Sequence, residues 1–340
     1  MDRKQILDSL KAEMIETLQK VLRFETVTTD ALPGMPFGKN NADCLAYVLK
    51  KGEEMGFKSY NCDNYAGHLD FAADDKNAEV FGVLGHLDVV PVTEGWIAPP
   101  FGGEIIDGKI YGRGTMDDKG PMIACLYAAK ALKMSGFRPR RTLRLIFGCD
   151  EENNMACIKY YKTKVKMPDL AISPDGDFPV INVEKGIYAM ELDVGKVSDA
   201  VLDISAGSRT NVVPDLCTAL VDKSLDLKPL EKFNVEVKEA DGRIQLLTRG
   251  KSTHGAMPHT GVNATWEMFR ALSACLPDDK TLAFVAEKMC RDVNGKAWGF
   301  PLEDEVSGKI THSIGVVSLK NGNLKIKLDV MYPVTYKDSF

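Results

Sequence analysis

The feature that most limits the fold is Val80-Phe81-Gly82-Val83-Leu84, a short apolar run closed by Gly85-His86-Leu87-Asp88. Without the apolar/polar alternation of a half-wet strand, such a run reads as a strand covered on both faces. A second run, Leu143 to Phe147, leads into Gly148-Cys149-Asp150-Glu151-Glu152, and a third, Leu170-Ala171-Ile172, into Ser173-Pro174-Asp175. Helical spacing separates them. Ile6, Leu7, Leu10, Met14, Leu18, Val21 and Leu22 recur at three and four residues; Leu45, Val48, Leu49 and Met55 mark a second helix that stops near Gly56. A third helix is expected from about Pro121 to Met134 and a fourth after Glu152. Strands are expected at Phe57 to Cys62 and His68 to Ala72, and Asp107-Gly108 between short apolar pairs marks a tight hairpin. The alternation predicts an α/β fold with a sheet flanked by helices on both faces.

Beyond Gly186 the texture changes to hairpins, Val235 to Glu239 with Arg243 to Leu247 and Val316 to Leu319 with Leu324 to Val330, interrupted by helical stretches near Thr265 to Cys275 and Leu282 to Arg291. A smaller α+β domain is expected there, with a soft boundary that places one domain at 1–186 and the other at 187–340. Two domains also suit 340 residues, more than one core usually holds. With 44% hydrophobic and 27% charged residues the chain has an ordinary globular composition, and its formal charge of −5 offers no general attraction to nucleic acid or anionic membranes. Neither partner is expected. The N-terminal residues run straight into an amphipathic pattern and no apolar window is long enough to span a bilayer, so a cytoplasmic location is expected. The eight cysteines lack Cys-x-x-Cys spacing and sit mostly in apolar stretches, as reduced core residues do.

Open α/β sheets bind ligands beyond the carboxyl ends of their strands. His86 and Asp88, Asp150-Glu151-Glu152, and Asp175 all follow strands, and Asp117-Asp118 follows the hairpin. Taken singly, each has a plain structural explanation: a hydrogen-bonded His, a solvated loop, a helix N-cap. Four such clusters at one edge form a concentration of negative charge that needs a multivalent cation. Imidazole and carboxylates without thiolate fit zinc, with manganese or cobalt as substitutes, and a carboxylate shared by two ions about 3.5–4 Å apart would make a two-metal hydrolytic site. Metal-assisted attack of water on a carbonyl follows, with one of Glu151 and Glu152 as base and the other as ligand.

At these residues the sequence resembles the aminoacylase, carboxypeptidase and desuccinylase family of zinc metallopeptidases, in particular its PepV-like dipeptidase branch. The matching stretches are G-H-L-D-V-V-P (85–91), P-P-F-G-G-E-I-I-D-G-K-I-Y-G-R-G-T-M-D-D-K-G-P (99–121), D-E-E (150–152), S-P-D-G-D-F-P-V-I-N-V-E-K-G (173–186) and S-T-H-G-A-M-P (252–258). The resemblance implies a catalytic domain with a mixed sheet and an inserted lid domain. It implies one zinc on His86, Asp117 and Asp175, and a second shared through Asp117 and held by Glu152. Glu151 would be the general base and Asp88 would orient His86. The peptide bond between Asp117 and Asp118 would be cis. His254 would stabilise the oxyanion, Asn211 would touch substrate, and the protein would be a monomer or a lid-mediated homodimer.

Two positions depart from the family pattern. Met331, in Asp329-Val330-Met331-Tyr332-Pro333, stands where the family carries an Arg that binds the substrate carboxylate, and a late His ligand to the second zinc has no counterpart; His312 lies in an expected strand. Tyr336 to Phe340 reads as the start of another helix, so the chain is expected to be C-terminally truncated by on the order of eighty residues at usual element lengths, leaving apolar surface on both domains exposed. The expected function is a dinuclear zinc dipeptidase; the alternatives are an N-acyl amino-acid deacylase or desuccinylase, and a non-catalytic remnant with an incomplete second metal site.

Overall fold

The structure, a computed structural model, describes residues 3–92, 95–240 and 242–336. Of the last expected helix, 336–340, only Tyr336 lies among them, and Asp241 of the first hairpin turn lies outside. The chain divides into two compact units, Met1–Val180 and Ile181–Phe340, six residues before the boundary expected from texture.

The first unit begins with α1 (Arg3–Leu22) and α2 (Lys39–Glu54), continues through β1 (Lys58–Cys62), β2 (Ala66–Phe71), β3 (Val80–His86) and the hairpin of β4 (Glu104–Ile106) and β5 (Lys109–Tyr111), and ends with α3 (Lys119–Met134), β6 (Thr142–Gly148), α4 (Ala156–Lys164) and β7 (Leu170–Ile172). Its five-stranded sheet has the order β1-β2-β6-β3-β7. β1, β2 and β6 pair antiparallel, whereas β3 pairs parallel with both β6 and β7. The sheet is therefore mixed and carries helices on both faces. Leu145 and Phe147 of β6 pack with Leu10, Val48, Leu49, Ile123 and Leu126 of α1 to α3. The intervening Ile146 packs with Tyr161 of α4 on the other side, as the period-2 geometry of a strand requires. At the sheet edge, β7 leaves Leu170 and Ile172 more than half exposed.

The hairpin between β4 and β5 turns at Asp107 and Gly108, both at positive φ (49° and 75°), the conformation a two-residue turn needs to match strand twist.

The second unit is built on a seven-stranded antiparallel sheet in the order β11-β12-β10-β9-β15-β16-β8. Its strands are β8 (Gly186–Lys196), β9 (Val201–Ala206), β10 (Leu216–Val221), β11 (Glu236–Ala240), β12 (Arg243–Arg249), β15 (Thr311–Lys320) and β16 (Asn323–Tyr332); β13 (Glu303–Asp304) and β14 (Gly308–Lys309) form a separate small pair. α5 (Ala264–Cys275) and α6 (Lys280–Phe284) place Met268, Phe269, Leu272 and Leu282 in a core with Ile204, Leu246, Ile326 and Leu328 from the sheet. Asn263 and Asp279 cap these two helices by accepting the amide N–H of Thr265 and Leu282. The single helix expected at 282–291 is instead the end of α6 followed by a π-helical turn, Val285–Met289, and Arg291 takes positive φ (66°). Among the described residues no helix is long and apolar enough to cross a membrane.

Candidate metal centre

The register of the parallel strands decides which residues meet. His86 at the end of β3 lies opposite Gly148 at the end of β6, and Val83 lies opposite Ile172 of β7. The residues that follow these strands, Asp88, Glu151, Glu152 and Asp175, therefore emerge on one edge of the sheet, and Asp117 joins them from the turn before α3.

His86 is the hub. It is 1% exposed, and its Nε2 lies 3.0 Å from Asp117 Oδ1, 3.4 Å from Asp175 Oδ2 and 3.9 Å from Glu151 Oε2. Its Nδ1 lies 2.9 Å from the carbonyl oxygen of Asp88, so Nδ1 carries a proton donated to that carbonyl and Nε2 is the ring nitrogen that faces the carboxylates.

Asp88, expected to orient His86, has both its carbonyl and its carboxylate beside the imidazole. Its side chain, fully buried, has Oδ1 3.4 Å from His86 Nδ1 but accepts the amide N–H groups of Glu151 and Glu152 at 3.0 Å each. One residue thus holds both the imidazole and the loop that carries the two glutamates. Asp150 secures the far side of that loop by accepting Ala156 N–H at the start of α4. Thr26 donates to Leu87 O at 2.6 Å and fixes the turn between His86 and Asp88; a lone Thr far upstream carries no sequence signal of that role.

Two triads bring ligand-type atoms within 4.8 Å of one another: His86 with Asp118 and Asp175, and His86 with Asp117 and Glu152. Asp118 was given no ligand role in the sequence. It is fully buried, its Oδ2 accepts His86 N–H at 3.2 Å, and its Oδ1 has no partner. The signal available was its place as the second of two aspartates before α3. The peptide bond between Asp117 and Asp118 is cis, as the resemblance implies.

The electrostatics describe a site with surplus negative charge. Burial works against a charged His86, but hydrogen bonds to Asp117, Asp175 and Asp88 outweigh it and hold the imidazole far above its ordinary value. Asp117 is held low, chiefly by His86. Burial, reinforced by Asp175, pushes Asp118 up to about 7; burial, reinforced by Asp117 and Glu151, pushes Glu152 up to about 7, and burial raises Glu151 as well. A proton on His86 and a divalent cation satisfy the same carboxylates. The donor set of one imidazole and several carboxylates without thiolate, with a buried orphan oxygen on Asp118, fits a divalent metal of the zinc, manganese or cobalt kind.

In the second unit, His254 and Asn211 are neighbours: Val212 and His254 form an isolated β-bridge, and Gly255 N–H donates to Asn211 O at 2.7 Å. His312 is buried on β15 with Nε2 unpartnered, 4.0 Å from Asp292 Oδ2.

The sequence pattern of Peptidase family M20/M25/M40 matches residues 82–333, most of the chain and every residue of this cluster. The chain belongs to this family. It is a hydrolase of the metallopeptidase class. Among its relatives, Putative dipeptidase YtjP of Bacillus subtilis (strain 168) is 34% identical over 346 residues, which cover 96% of this chain and 74% of that protein. Beta-Ala-Xaa dipeptidase of Lactobacillus delbrueckii subsp. lactis is 33% identical over 352 residues, covering 97% and 74%. The crystal structure of human carnosine dipeptidase 1, 14% identical, aligns with a TM-score of 0.51 over 98% of this chain and 73% of that one; at that identity the likeness speaks for the fold alone.

Proposed function

We propose that this metallopeptidase is a dinuclear zinc dipeptidase that hydrolyses the peptide bond of dipeptides or short peptides. The observation that carries the reading is that two triads share His86 at one end of the parallel strands, Asp175 standing in one with Asp118 and Asp117 in the other with Glu152, and that Asp117 and Asp175 both lie within 3.4 Å of His86 Nε2. That they occur in a chain about one-third identical to relatives named as dipeptidases supports the substrate class.

His86, Asp117 and Asp175 would hold one cation, and Asp117 with Glu152 the other; manganese or cobalt would substitute for zinc. A cation bound there supplies Lewis acidity that polarises a carbonyl and acidifies water. Glu151 belongs to neither ligand set, and we assign it the proton: its carboxylate takes one from the attacking water and returns it to the leaving nitrogen. Its raised affinity for a proton, from burial and the neighbouring acids Asp175, Asp88 and Asp117, suits a group that must hold the proton between those two events. Asp88 keeps Glu151 and His86 in register through the three hydrogen bonds described above. His254 is assigned the hydrogen bond to the developing oxyanion and Asn211 a contact to substrate. Met331 offers no charged group to a substrate carboxylate.

A substrate panel tests the reading. Zinc- or manganese-loaded protein is expected to release free amino acids from unmodified dipeptides. Cleavage of N-acyl amino acids without dipeptide cleavage would transfer the assignment to a deacylase or desuccinylase, and inactivity on both with metal bound would leave a metal-binding remnant.

A further inference from the structure

Thr26 lies in no helix or strand and in none of the motifs that carry the acidic cluster, yet it is fully buried. Its polar contacts fall on either side of Asp88. Its hydroxyl donates to Leu87 O at 2.6 Å, and its carbonyl accepts Val89 N–H at 3.2 Å. The Leu87 carbonyl belongs to the peptide plane before the Asp88 Cα and the Val89 amide to the plane after it, and each plane is rigid. Holding both planes fixes φ and ψ of Asp88, its two soft backbone torsions. Those torsions decide where the two ends of the residue point. The Asp88 carbonyl, in one plane with Val89 N–H, lies 2.9 Å from His86 Nδ1; the carboxylate, carried on the Cα between the planes, accepts Glu151 N–H and Glu152 N–H at 3.0 Å each. The neighbours of Thr26 reach the other two motif loops. Phe24 O accepts from the ammonium of fully buried Lys119, next to Asp118, at 2.8 Å, and Thr28 Oγ1 accepts from Asn153 Nδ2, next to Glu152, at 2.9 Å. Asn41 Nδ2 of α2 donates to Thr26 O at 3.3 Å and steadies the segment from behind.

We propose that Thr26 is a positioning residue of the metal centre, its hydroxyl and carbonyl clamping the peptide planes on both sides of Asp88 so that this one residue holds His86 and the glutamate loop together. The hydroxyl is the decisive part. A buried hydroxyl is tolerated only with a partner, and a methyl group in its place could not approach a carbonyl oxygen so closely. Without it the Leu87 carbonyl is left unsatisfied and the plane before Asp88 is free to turn. Asp175, which follows β7, is held separately by the pairing of β7 with β3. The consequence for metal binding rests on the proposed function; the clamp on Asp88 does not.

The test compares Thr26→Ser with Thr26→Ala in the full chain, because both lose the methyl group and they differ only in the hydroxyl. Amide hydrogen exchange of the metal-free protein reads the clamp directly. In Thr26→Ala the Val89, Glu151 and Glu152 amides are expected to exchange about tenfold faster than in the parent, and in Thr26→Ser within about twofold of it. Zinc, titrated calorimetrically, is expected to bind Thr26→Ala about tenfold more weakly, as loss of a ligand-orienting group entails, and Thr26→Ser as the parent does. Thr17→Ala controls for mere destabilisation. It removes a buried hydroxyl contact of 2.7 Å between α1 and Tyr127 of α3, and is expected to lower the unfolding midpoint while leaving the three amides and the zinc affinity unmoved. Unchanged exchange at Glu151 and Glu152 in Thr26→Ala, or a Thr17→Ala that matches it, overturns the proposal. Should Thr26→Ala fail to fold, Thr26→Val, which keeps the volume, replaces it in the same comparison with the same deciding outcomes. A parent that binds no zinc would refute the proposed function and leave the exchange result to judge the clamp.

Discussion

Asp88 does the most for the site at the scale of single residues. Replacing it by Ala strands the amide N–H groups of Glu151 and Glu152, at about 1–3 kcal/mol each when fully buried and less for these half-buried ones. It also frees the loop that positions both glutamates. Asp88→Ala is therefore expected to weaken metal binding by about 10–100-fold, as loss of a ligand-orienting group does, measured by calorimetric titration with zinc. The same scale sets the pH dependence. Glu152 and Asp118 are raised to about 7 by burial and neighbouring acids, and a carboxyl raised by folding binds its proton more tightly in the folded than in the unfolded chain. Without metal it stabilises the fold as pH falls from 7 toward the ordinary carboxyl range and loses that contribution as pH rises through 7. His86, raised by its acidic partners, has the same sign, its stabilisation present below its unfolded value and lost at high pH. Metal binding must displace these protons, so zinc affinity is expected to rise between pH 6 and 8; a flat profile would show that the acids are ionised throughout. His86, Asp117, Glu151, Glu152 and Asp175 were legible because each follows a strand or precedes a helix in a motif of distinctive order. Asp118 and the backbone role of Asp88 were not, since which oxygen of an acid faces a metal, an amide or nothing depends on rotamers the sequence does not encode.

Among the elements, β3 matters most, because its parallel register with β6 and β7 gathers the proposed ligands. Gly85 shows how tightly it is fitted to α3: a Cβ there would fall 2.0 Å from Asp118 Oδ2 and 2.5 Å from Met122 Sδ. Gly85→Ala is expected to cost about 1–3 kcal/mol through overpacking and to displace Asp118, seen as a lowered midpoint in denaturant unfolding together with weaker metal binding. An alanine variant with unchanged stability would mean that α3 yields at no cost. The elements of the first unit were readable almost residue by residue, since buried parallel strands and amphipathic helices leave strong periodic signals. β8, β9 and β10 were not foreseen. β8 lies at a sheet edge and leaves Ile187 and Tyr188 more than half exposed, so its burial pattern gives no clean alternation. The π-helical turn after α6 was likewise hidden, because Leu282, Val285 and Met289 keep an apolar spacing that fits an ordinary helix.

On the scale of the whole molecule, the two units have separate cores, and the proposed metal ligands all belong to the first. Calorimetry is expected to resolve two unfolding transitions, only one of which responds to zinc. A ligand at 100 times its Kd adds about 2.7 kcal/mol to the state that binds it. For a unit of this size that is a rise of roughly 5–10 °C in Tm. A single transition would show that the units unfold cooperatively.

The central claim is that the carboxylates beyond β3, β6 and β7 divide into metal ligands and one proton carrier. Its most direct test is the rate of dipeptide hydrolysis by zinc-loaded Glu151→Ala beside the parent, with metal content measured on both samples. The account predicts a fall of about 10²–10⁴ in kcat, the range of general acid–base catalysis, with zinc content unchanged. Parental activity in Glu151→Ala would contradict it, and so would loss of zinc together with activity, which would make Glu151 a ligand.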